Sequence, residues 1–410
     1  MNDKSNPIVI WYNELTKNDS YLLFLFLANL IIRIFHHLIY SEVTYVDTES
    51  YLELTNCLLT MDFSNYQAVR TPVYPFVLFL HHIDDRLVWV AQSLMGISNS
   101  ILLYLIAKNI TKNKIAFIIA ITYSLSFNIL FTEAALLSET TSIFFLLLTI
   151  FTFTKFIKEN KKIILIIIGI FSTLAILTRP IMIVSIPALL IALLFINGKN
   201  NKRTQLIHIL YYLTPVLVLI IGLCLFNYTQ VNYFGINTNS GLGLCNISGA
   251  FVEKSTDPEY QQIREILIEF RTKRGTHNWV AHHALEEMLE KTGLTFSELS
   301  KKLTAMSFQL FLNNPDLYFK SIVPSYINYW RVGILWVPEN ISPRFIKNII
   351  EVIWAPQKII LGIINVIFII SLILIIFRKK SLIITRNPII LLMILLVIFS
   401  SILQALVESL

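Results

Sequence analysis

Long apolar runs recur along the chain, and short polar segments separate them. Each run holds roughly 20 residues, which is the length that an α-helix needs to cross the hydrocarbon core of a bilayer. The pattern therefore predicts an all-α polytopic membrane protein with about nine transmembrane helices. The predicted spans are residues 21–40, 87–107, 115–132, 140–156, 163–177, 181–196, 206–226, 358–377 and 388–406.

Composition agrees with this pattern. Of the 410 residues, 55% are hydrophobic and only 14% are charged, so the apolar fraction is above and the charged fraction below what is usual for a globular protein. The formal net charge of +7 suggests nucleic acid as a partner, but the basic residues gather in short connections between apolar runs. We therefore expect membrane lipid around the chain and no nucleic acid partner.

The basic connections set the predicted orientation. They fall between alternate apolar runs, and the positive-inside rule places such connections in the cytoplasm. The N-terminus is then inside, and the opposite face receives residues 42–86, residues 133–139, the break at Arg179-Pro180 and residues 227–354. The basic residues are Lys108, Lys112, Lys114, Lys155, Lys158, Lys161, Lys162, Lys199, Lys202, Arg203, Arg378, Lys379, Lys380 and Arg386.

The chain divides into three predicted parts. Residues 1–226 form a transmembrane module, residues 227–356 an outer helical segment that we expect to act as a lid, and residues 357–410 the last transmembrane helices. The outer segment begins with a turn-rich stretch that contains the Asn246 sequon, which matters only in a eukaryotic secretory host. The turn-rich stretch is 235–249, and the predicted helices that follow it are 258–274, 278–291 and 297–311.

The first outer loop, residues 42–86, carries a helix pattern followed by prolines. Apolar residues recur at helical spacing from Tyr51 to Met61, with polar residues on the opposite side, so we predict an amphipathic helix in the membrane interface. Pro72 and Pro75 follow, and proline inside a helix removes a hydrogen bond and clashes with the preceding turn. We therefore expect no regular helix through that stretch.

The same loop holds an acid and an arginine that suit one reaction class. Asp47 follows the first span, and Arg70 precedes Pro72. Transfer of a sugar from a polyprenyl-phosphate carrier needs only one carboxylate, as general base on the acceptor hydroxyl, because the phosphate is already a good leaving group. An arginine offers that phosphate a permanent charge and a matched fork of donors.

A set of short motifs follows in a spaced order: Arg33, Asp47-x-x-x-Tyr51, Arg70-x-Pro72-x-Tyr74-Pro75, Ser138-Glu139 and Leu177-Thr178-Arg179-Pro180. This set, in the first half of the chain, resembles the GT-C superfamily of lipid-phosphate-sugar glycosyltransferases. It is most similar to the bacterial branch related to protein O-mannosyltransferases and aminoarabinose transferases. The resemblance implies a GT-C fold in the plasma (bacterial inner) membrane, with an active site on the periplasmic or extracellular face.

The resemblance also implies an activity and roles for individual residues. The expected reaction is inverting transfer of a monosaccharide from a polyprenyl-phosphate donor to a hydroxyl of a lipid, glycan or protein. Asp47 is expected to be the general base, while Arg70 and Arg179 bind the donor phosphate. The residues expected to bind substrate or line the cavity are Arg33, Glu49, Tyr51, Tyr74 and Glu139.

The chain departs from the family pattern in two respects. Many relatives carry two adjacent acids where this chain has Asp47-Thr48, so the second carboxylate is absent or is replaced by Glu49. The sequence supports neither a metal site nor a cofactor, and adjacent histidines such as His282-His283 do not supply one, because neighbouring helix positions diverge by about 100°. Relatives often continue past the point where this sequence ends, so whether the C-terminus is truncated stays an open question.

The loop residues also have structural interpretations. Asp47 suits the N-cap of the predicted helix, where its carboxylate would accept hydrogen bonds from first-turn amides. Arg70 suits an interfacial arginine whose stem lies in lipid. Tyr51 and Tyr74 are of the type that anchors a protein at the membrane interface.

Ionisable residues at the spans have two interpretations as well. An ionisable group within a membrane is expensive unless it is paired or hydrated, so function is one explanation for Arg33, Glu139 and Arg179. The other is a structural ion pair, for which Arg33 has Glu133 or Glu139 as candidate partners.

Two other functions compete with the transferase. A transporter or flippase of lipid-linked sugars would show broken spans in corresponding positions of two halves, and the sequence shows no such symmetry. A polymerase or ligase of surface polysaccharide would place its key arginines in the long outer segment. Asp47 and the Arg70 motif, which come early in the chain, favour the transferase.

Overall fold

The computed structural model describes residues 20–196, 202–276, 278–377 and 387–407. These residues are mostly helical, and the β-type pairing within them is a single parallel bridge between Val43 and Ala135. The predicted all-α polytopic class is therefore confirmed. The helices are α1 (Ser20–Ile39), α2 (Val46–Thr60), α3 (Val73–Leu80), α4 (Asp85–Ala107), α5 (Asn113–Ser124), α6 (Phe127–Ala134), α7 (Glu139–Glu159), α8 (Lys162–Thr178), α9 (Ser185–Ile196), α10 (Lys202–Val231), α11 (Ser240–Ser248), α12 (Gln261–Arg274), α13 (Val280–His283), α14 (Leu285–Thr292), α15 (Phe296–Asn313), α16 (Pro315–Tyr329), α17 (Arg344–Phe377) and α18 (Pro388–Val407).

Six of the described helices are long and apolar enough to cross a membrane, namely α1, α4, α7, α10, α17 and α18. Helices α5 and α6 meet at a bend of 49° and together make a further candidate span. Helix α8 is apolar but shorter, as is the unit formed by the 3-10 helix Pro180–Val184 and α9. Each predicted apolar run falls on one of these elements. The basic residues that lie outside the described residues are Lys199, Arg378, Lys379, Lys380 and Arg386.

One large apolar core lies between α4, α7, α8, α9, α10 and α18. Phe153 of α7 and Ile168 of α8 are fully buried there, together with Leu392 of α18. Gly169 allows α10 to approach α8 closely, because a Cβ at this position would collide with the Tyr212 carbonyl group. Helix α8 ends at Thr178, and Arg179 follows directly.

A buried ion pair connects α1 to α6. Arg33 Nη2 lies 2.7 Å from Glu133 Oε1, and the two side chains are only 2% and 0% exposed. Arg33 Nη1 also donates to Asn29 Oδ1 at 2.7 Å, and Asn29 Nδ2 donates to Ser100 Oγ of α4 at 3.1 Å. A Cβ at Gly96 would collide with both charged groups, so glycine makes room for the pair. Glu133 is therefore the partner that the sequence left open.

The segment between α1 and α4 confirms the helix predicted in the first loop and corrects the prediction for the prolines. Helix α2 ends at Thr60, and its C-cap Met61 has a left-handed φ of 54°. The chain then forms helix α3 through the stretch expected to lack one: Pro72 is its N-cap, and Pro75 lies in its first turn. Proline is tolerated there because first-turn N–H groups have no partner within the helix.

The long segment after α10 folds into a small helical domain, α11–α16, with its own apolar core. Helices α12 to α15 lie where the sequence predicts helices. Helix α16 was not predicted, and the turn-rich stretch 235–249 contains helix α11. Gly241 within α11 lies so close to the Ser300 backbone that a Cβ would collide with it. The glycine thus serves helix packing, although it was interpreted as a turn signal. Helix α17 then runs continuously across the predicted boundary at 356.

Candidate active site

The Asp47 carboxylate lies in the first turn of α2 and forms an ion pair with Arg70. Asp47 Oδ1 and Arg70 Nη2 are 2.7 Å apart. The N-cap of α2 is Tyr45, so capping does not account for this carboxylate. The Asp47 side chain is 60% exposed, whereas that of Arg70 is 17% exposed. The acid is therefore open to an incoming molecule, while the arginine is held in place by the protein.

Two contacts besides the ion pair hold Arg70, and its neighbour anchors the backbone. Its Nε donates to Ser50 Oγ at 2.7 Å, and its guanidinium carbon lies 4.5 Å from the centre of the Tyr51 ring, a cation–π contact. The preceding residue, Val69, packs against the core of the helical domain. These contacts and the bond to Asp47 use only part of the guanidinium donor set, so further N–H groups remain for an anionic ligand.

A second ion pair lies at the same end of the bundle. Arg179 follows the last residue of α8, and its guanidinium pairs with the carboxylate of Glu139, the first residue of α7. About a third of each side chain is exposed. Oε2 of Glu139 is buried and has no hydrogen-bond partner among the described residues.

Two hydrogen bonds join the ion pairs. Tyr51 Oη and Ser138 Oγ are 2.9 Å apart, and Thr71 Oγ1 donates to the Thr178 carbonyl group at 3.2 Å. Ser138, Thr71 and Thr178 each precede or follow a member of an ion pair directly in the chain. The two arginines and two acids therefore belong to one site, built from α2, α7, α8 and the segment before α3.

Tyr74 supports this site from below instead of lining it. Its side chain is fully buried, packs edge-to-face against Tyr51 at 4.9 Å between ring centres, and donates from Oη to Gln92 Oε1 at 3.1 Å. Gln92 Nε2 in turn donates to the carbonyl groups of Glu133 and Ala135, both at 2.8 Å. Tyr74 was expected to bind substrate or line the cavity, but its ring is fully buried beneath Tyr51. Burial also raises the pKa of Tyr51, with Arg70 opposing the shift, so the Tyr51 phenol stays neutral.

Two other predicted cavity residues lie away from the Asp47 carboxylate. Glu49 is exposed, but two residues along a helix turn a side chain by about 200°, so it faces away from the Asp47–Arg70 pair. Arg33 is in the bundle core with Glu133, as described above. Glu49 is therefore not a second carboxylate beside Asp47, because it lies on another side of α2. Arg33 is not a cation of this site, because it is buried with Glu133.

The helical domain α11–α16 also borders the site, which the sequence did not indicate. Thr238 donates from its backbone N–H to the Ala68 carbonyl and from Oγ1 to the Gln67 carbonyl, both at 2.8 Å. The domain is thereby fastened to the chain just before Arg70. This docking brings His282 into the electric field of the ion pair: burial lowers its pKa to about 4, Asp47 opposes this shift and Arg70 reinforces it.

Two features of the sequence around His282 point elsewhere. His282 belongs to an adjacent histidine pair, which predicts no shared ligand. Asn246 was considered as part of a sequon, but its side chain is 3% exposed and its amide bonds both the His282 ring and the Ala281 backbone. Both contacts cross about 35 residues of sequence, and no local pattern predicts them.

Chemically, the site presents one open carboxylate and two guanidinium groups at the mouth of an apolar bundle. A carboxylate accepts a proton from a hydroxyl group that approaches within hydrogen-bond distance. Guanidinium groups bind phosphate oxygens. The arrangement suits a substrate that combines an anionic group with a hydroxyl-bearing partner at the surface of a membrane.

Comparison with known proteins gives one family match. Residues 71–225 match the model of the dolichyl-phosphate-mannose-protein mannosyltransferase family. The matched part is less than half of the chain, includes Glu139 and Arg179, and begins directly after Arg70. No curated protein matches the chain. With the apolar helices, this similarity indicates a membrane glycosyltransferase of the GT-C type.

Proposed function

We propose that the protein transfers a monosaccharide from a polyprenyl-phosphate donor to a hydroxyl group of a lipid, glycan or protein, with inversion at the anomeric carbon. The observation that carries this proposal is the exposed Asp47 carboxylate, held 2.7 Å from Arg70 and joined through Tyr51 to a second arginine site. A base and two phosphate-binding groups are thus held together at one end of a transmembrane bundle.

In the proposed step, Asp47 accepts the proton of the acceptor hydroxyl as its oxygen attacks the anomeric carbon. A new C–O bond forms on one face of the sugar while the bond to the phosphate oxygen breaks on the other, so the configuration inverts. The polyprenyl phosphate leaves with the bonding electrons, and the proton remains on Asp47. One carboxylate suffices, because the phosphate leaves without protonation.

Arg70 and Arg179 are the proposed phosphate ligands. Arg70 uses Nη2 for Asp47 and Nε for Ser50, which leaves further N–H groups of its guanidinium for a phosphate. Arg179 pairs with Glu139 beside it and adds a second positive charge. Their charge would stabilise the phosphate as negative charge develops on its leaving oxygen. Because two acids balance the two arginines, these four side chains together are close to neutral, and an incoming phosphate has to share each guanidinium with a carboxylate.

The lipid tail of the donor has an apolar path close by. A groove of about 750 Å³ runs between α8 and α10, and its lining is almost wholly apolar. Leu174 of this lining lies in α8, four residues before its last residue Thr178, a rise of about 6 Å, and Arg179 follows directly. We assign the polyprenyl chain to this groove, with its phosphate at the end of α8. The α8 and α10 residues that line it include Ile166, Ile170, Leu174, Leu210, Pro215 and Val218.

The orientation of the site is also part of the proposal. Gln92, in the first half of α4, bonds to Tyr74 beneath the site, whereas Lys108, Lys112 and Lys114 follow the opposite end of α4. The positive-inside rule assigns the lysine end to the cytoplasm. The site would then face the periplasm or exterior of a bacterial inner membrane.

The direct test is donor consumption by the full-length protein in lipid nanodiscs. A panel of radiolabelled polyprenyl-phosphate sugars is offered together with a membrane extract as the source of acceptor. We expect one donor to be consumed, and we expect Asp47→Asn to slow this reaction by about 10²–10⁴-fold, the usual contribution of a general base. Glu53→Gln, a change to another exposed acid of α2, is the matched control and should leave the rate unchanged.

Two results would overturn the proposal. If Asp47→Asn consumes donor as fast as Glu53→Gln does, Asp47 is not the base. If the wild type consumes none of the donors but moves a labelled lipid-linked sugar across the bilayer, the protein is a transporter.

A further inference from the structure

The His282 imidazole is held in one tautomer. The Ala281 backbone N–H donates to Asn246 Oδ1 at 3.0 Å, and since an N–H group only donates, this bond fixes which end of the amide is oxygen. The Asn246 NH₂ group then points at His282 Nδ1, 2.7 Å away, and donates to it. The neutral ring therefore carries its proton on Nε2, which is left as a hydrogen-bond donor.

Trp279 lies beside this imidazole in an unusual backbone conformation. Its φ of +57° is in the left-handed region, which bulky residues rarely adopt. The indole is 43% exposed and meets the His282 ring edge-on at 5.1 Å between centres. The next residue, Val280, is fully buried in the core of the helical domain. Buried Val280 thus fixes the exposed Trp279 indole next to the Nε2–H donor of His282.

These two side chains are placed by the same core that places Arg70. Val69, directly before Arg70, packs against the core that contains Val280 and Ala281. Thr238 fastens this domain to the Ala68 carbonyl at 2.8 Å. Trp279 and His282 are therefore positioned relative to the ion-pair site by a short and well-packed connection.

We propose that Trp279 and His282 bind the pyranose ring of the donor sugar, with the indole stacking on the C–H face of the ring and His282 Nε2–H donating to a ring hydroxyl. The proposal rests on the proposed function, because that function places the sugar between the phosphate on Arg70 and the base Asp47. A sugar ring has an apolar C–H face and a rim of hydroxyl groups, and an aromatic face with an adjacent neutral donor complements both.

The assignment also explains why the tautomer matters. A charged histidine here would add a third cation beside Arg70 and compete for the phosphate. A neutral Nε2–H donor recognises a hydroxyl without attracting the anion. Asn246 is therefore a positioning residue that sets the hydrogen-bonding direction of His282, although it lies on the far side of the ring from the substrate.

The experiment compares the binding of two ligands to the full-length protein in nanodiscs. One is the polyprenyl-phosphate sugar that the wild type consumes, and the other is the same polyprenyl phosphate without its sugar. We expect the wild type to bind the ligand with the sugar more tightly than the ligand without it. Trp279→Ala should reduce this ratio of affinities, the sugar gain, roughly tenfold, which is the effect of losing one aromatic stacking partner. His282→Leu should also reduce the gain, whereas His282→Gln, which retains an N–H donor, should largely restore it.

Two controls separate this role from folding. His283→Leu changes the exposed neighbouring histidine and should leave both affinities unchanged. Asn246→Asp keeps the bond from Ala281 but removes the NH₂ donor, so the imidazole proton moves to Nδ1. We expect Asn246→Asp to reduce the sugar gain as His282→Leu does, with the affinity for bare polyprenyl phosphate retained.

The outcomes are distinct. If the variants keep the full sugar gain while their affinity for a soluble acceptor glycan falls, the pair binds the acceptor and the donor assignment is wrong. If neither ligand's affinity changes in folded variants, Trp279 and His282 do not bind the sugar, while the proposed transfer reaction stands. If the wild type binds neither polyprenyl ligand, the proposed function fails first.

Discussion

Two ion pairs of the same chemical type lie in different surroundings in this protein. Arg33 and Glu133 are at most 2% exposed and are surrounded by hydrogen-bonded polar groups inside the bundle. Asp47 and Arg70 have the same 2.7 Å separation, but the acid is 60% exposed at the mouth of the bundle. The distance between the charges is therefore the same in the structural pair and in the pair proposed to be functional. The two pairs differ in access, because of these two carboxylates only that of Asp47 is open to an incoming molecule.

The largest expected effect is on the buried pair. Glu133→Gln leaves the Arg33 charge without its counter-ion in the bundle, and breaking a buried pair costs about 3–5 kcal/mol of unfolding free energy. Thermal unfolding in nanodiscs measures this loss. The double variant Arg33→Met with Glu133→Leu should recover much of it, because no unpaired charge remains. Equal stability of the single variant and the wild type would contradict a structural role.

The exposed pair should respond in binding and not in stability. Arg70→Lys keeps the charge but removes the fork that holds Asp47 and Ser50 together. Hydrogen bonds to charged groups contribute about 1.5–3 kcal/mol, so we expect kcat/KM to fall about 10–100-fold. The melting temperature should stay unchanged. Lys112→Gln, on the connection at the other end of α4, serves as the control. A lysine variant with wild-type kinetics would remove Arg70 from the proposed phosphate site.

Tyr74 and Gln92 connect the two regions, so Tyr74→Phe tests the link. The change removes the bond to Gln92 Oε1 and leaves that buried oxygen without a donor. Such a group costs about 1–3 kcal/mol, which should appear as a lower melting temperature. Activity per folded molecule should stay near wild type, because the Tyr51 ring still packs on position 74. A strong drop in kcat with normal stability would mean that the Tyr74 hydroxyl takes part in the reaction.

The smallest expected effect is a pH dependence at the edge of the exposed region. The folded-state pKa of His282 is lowered to about 4 from its ordinary value of 6.5, mainly by burial. The unfolded chain then binds more protons between these values, so His282 lowers stability as the pH falls from about 6.5 to about 4. The melting temperature of His282→Gln should fall less over this window than that of the wild type. Parallel curves would show that burial, together with Arg70 and His283 and against Asp47, does not lower the pKa of His282.

The sequence predicted those features that depend on local pattern. The apolar runs are confirmed as helices because a bilayer-length run of isoleucine and leucine has few other structures open to it. The helix around Tyr51 and the break at Arg179 also lie where expected. Pro72 and Pro75 were misjudged, since position within the first turn decides whether proline is tolerated.

Features that depend on long-range contact escaped prediction. The choice between Glu133 and Glu139 for Arg33 depends on helix packing, and the close approach at Gly96 settles it. Burial of Tyr74 is set by α4 and not by its own motif. His282 lies near the site only because a separate domain docks next to Arg70. The residue types and spacing within the first loop therefore cannot predict its position.

The most direct test of the account measures turnover and melting temperature together for Asp47→Asn and Glu133→Gln in nanodiscs. The account predicts opposite results: Asp47→Asn melts like the wild type but has lost donor turnover, whereas Glu133→Gln melts at a clearly lower temperature and retains turnover in the fraction that is folded. If Asp47→Asn instead unfolds early, or retains full turnover, the exposed pair is a structural contact and the proposed active site is wrong.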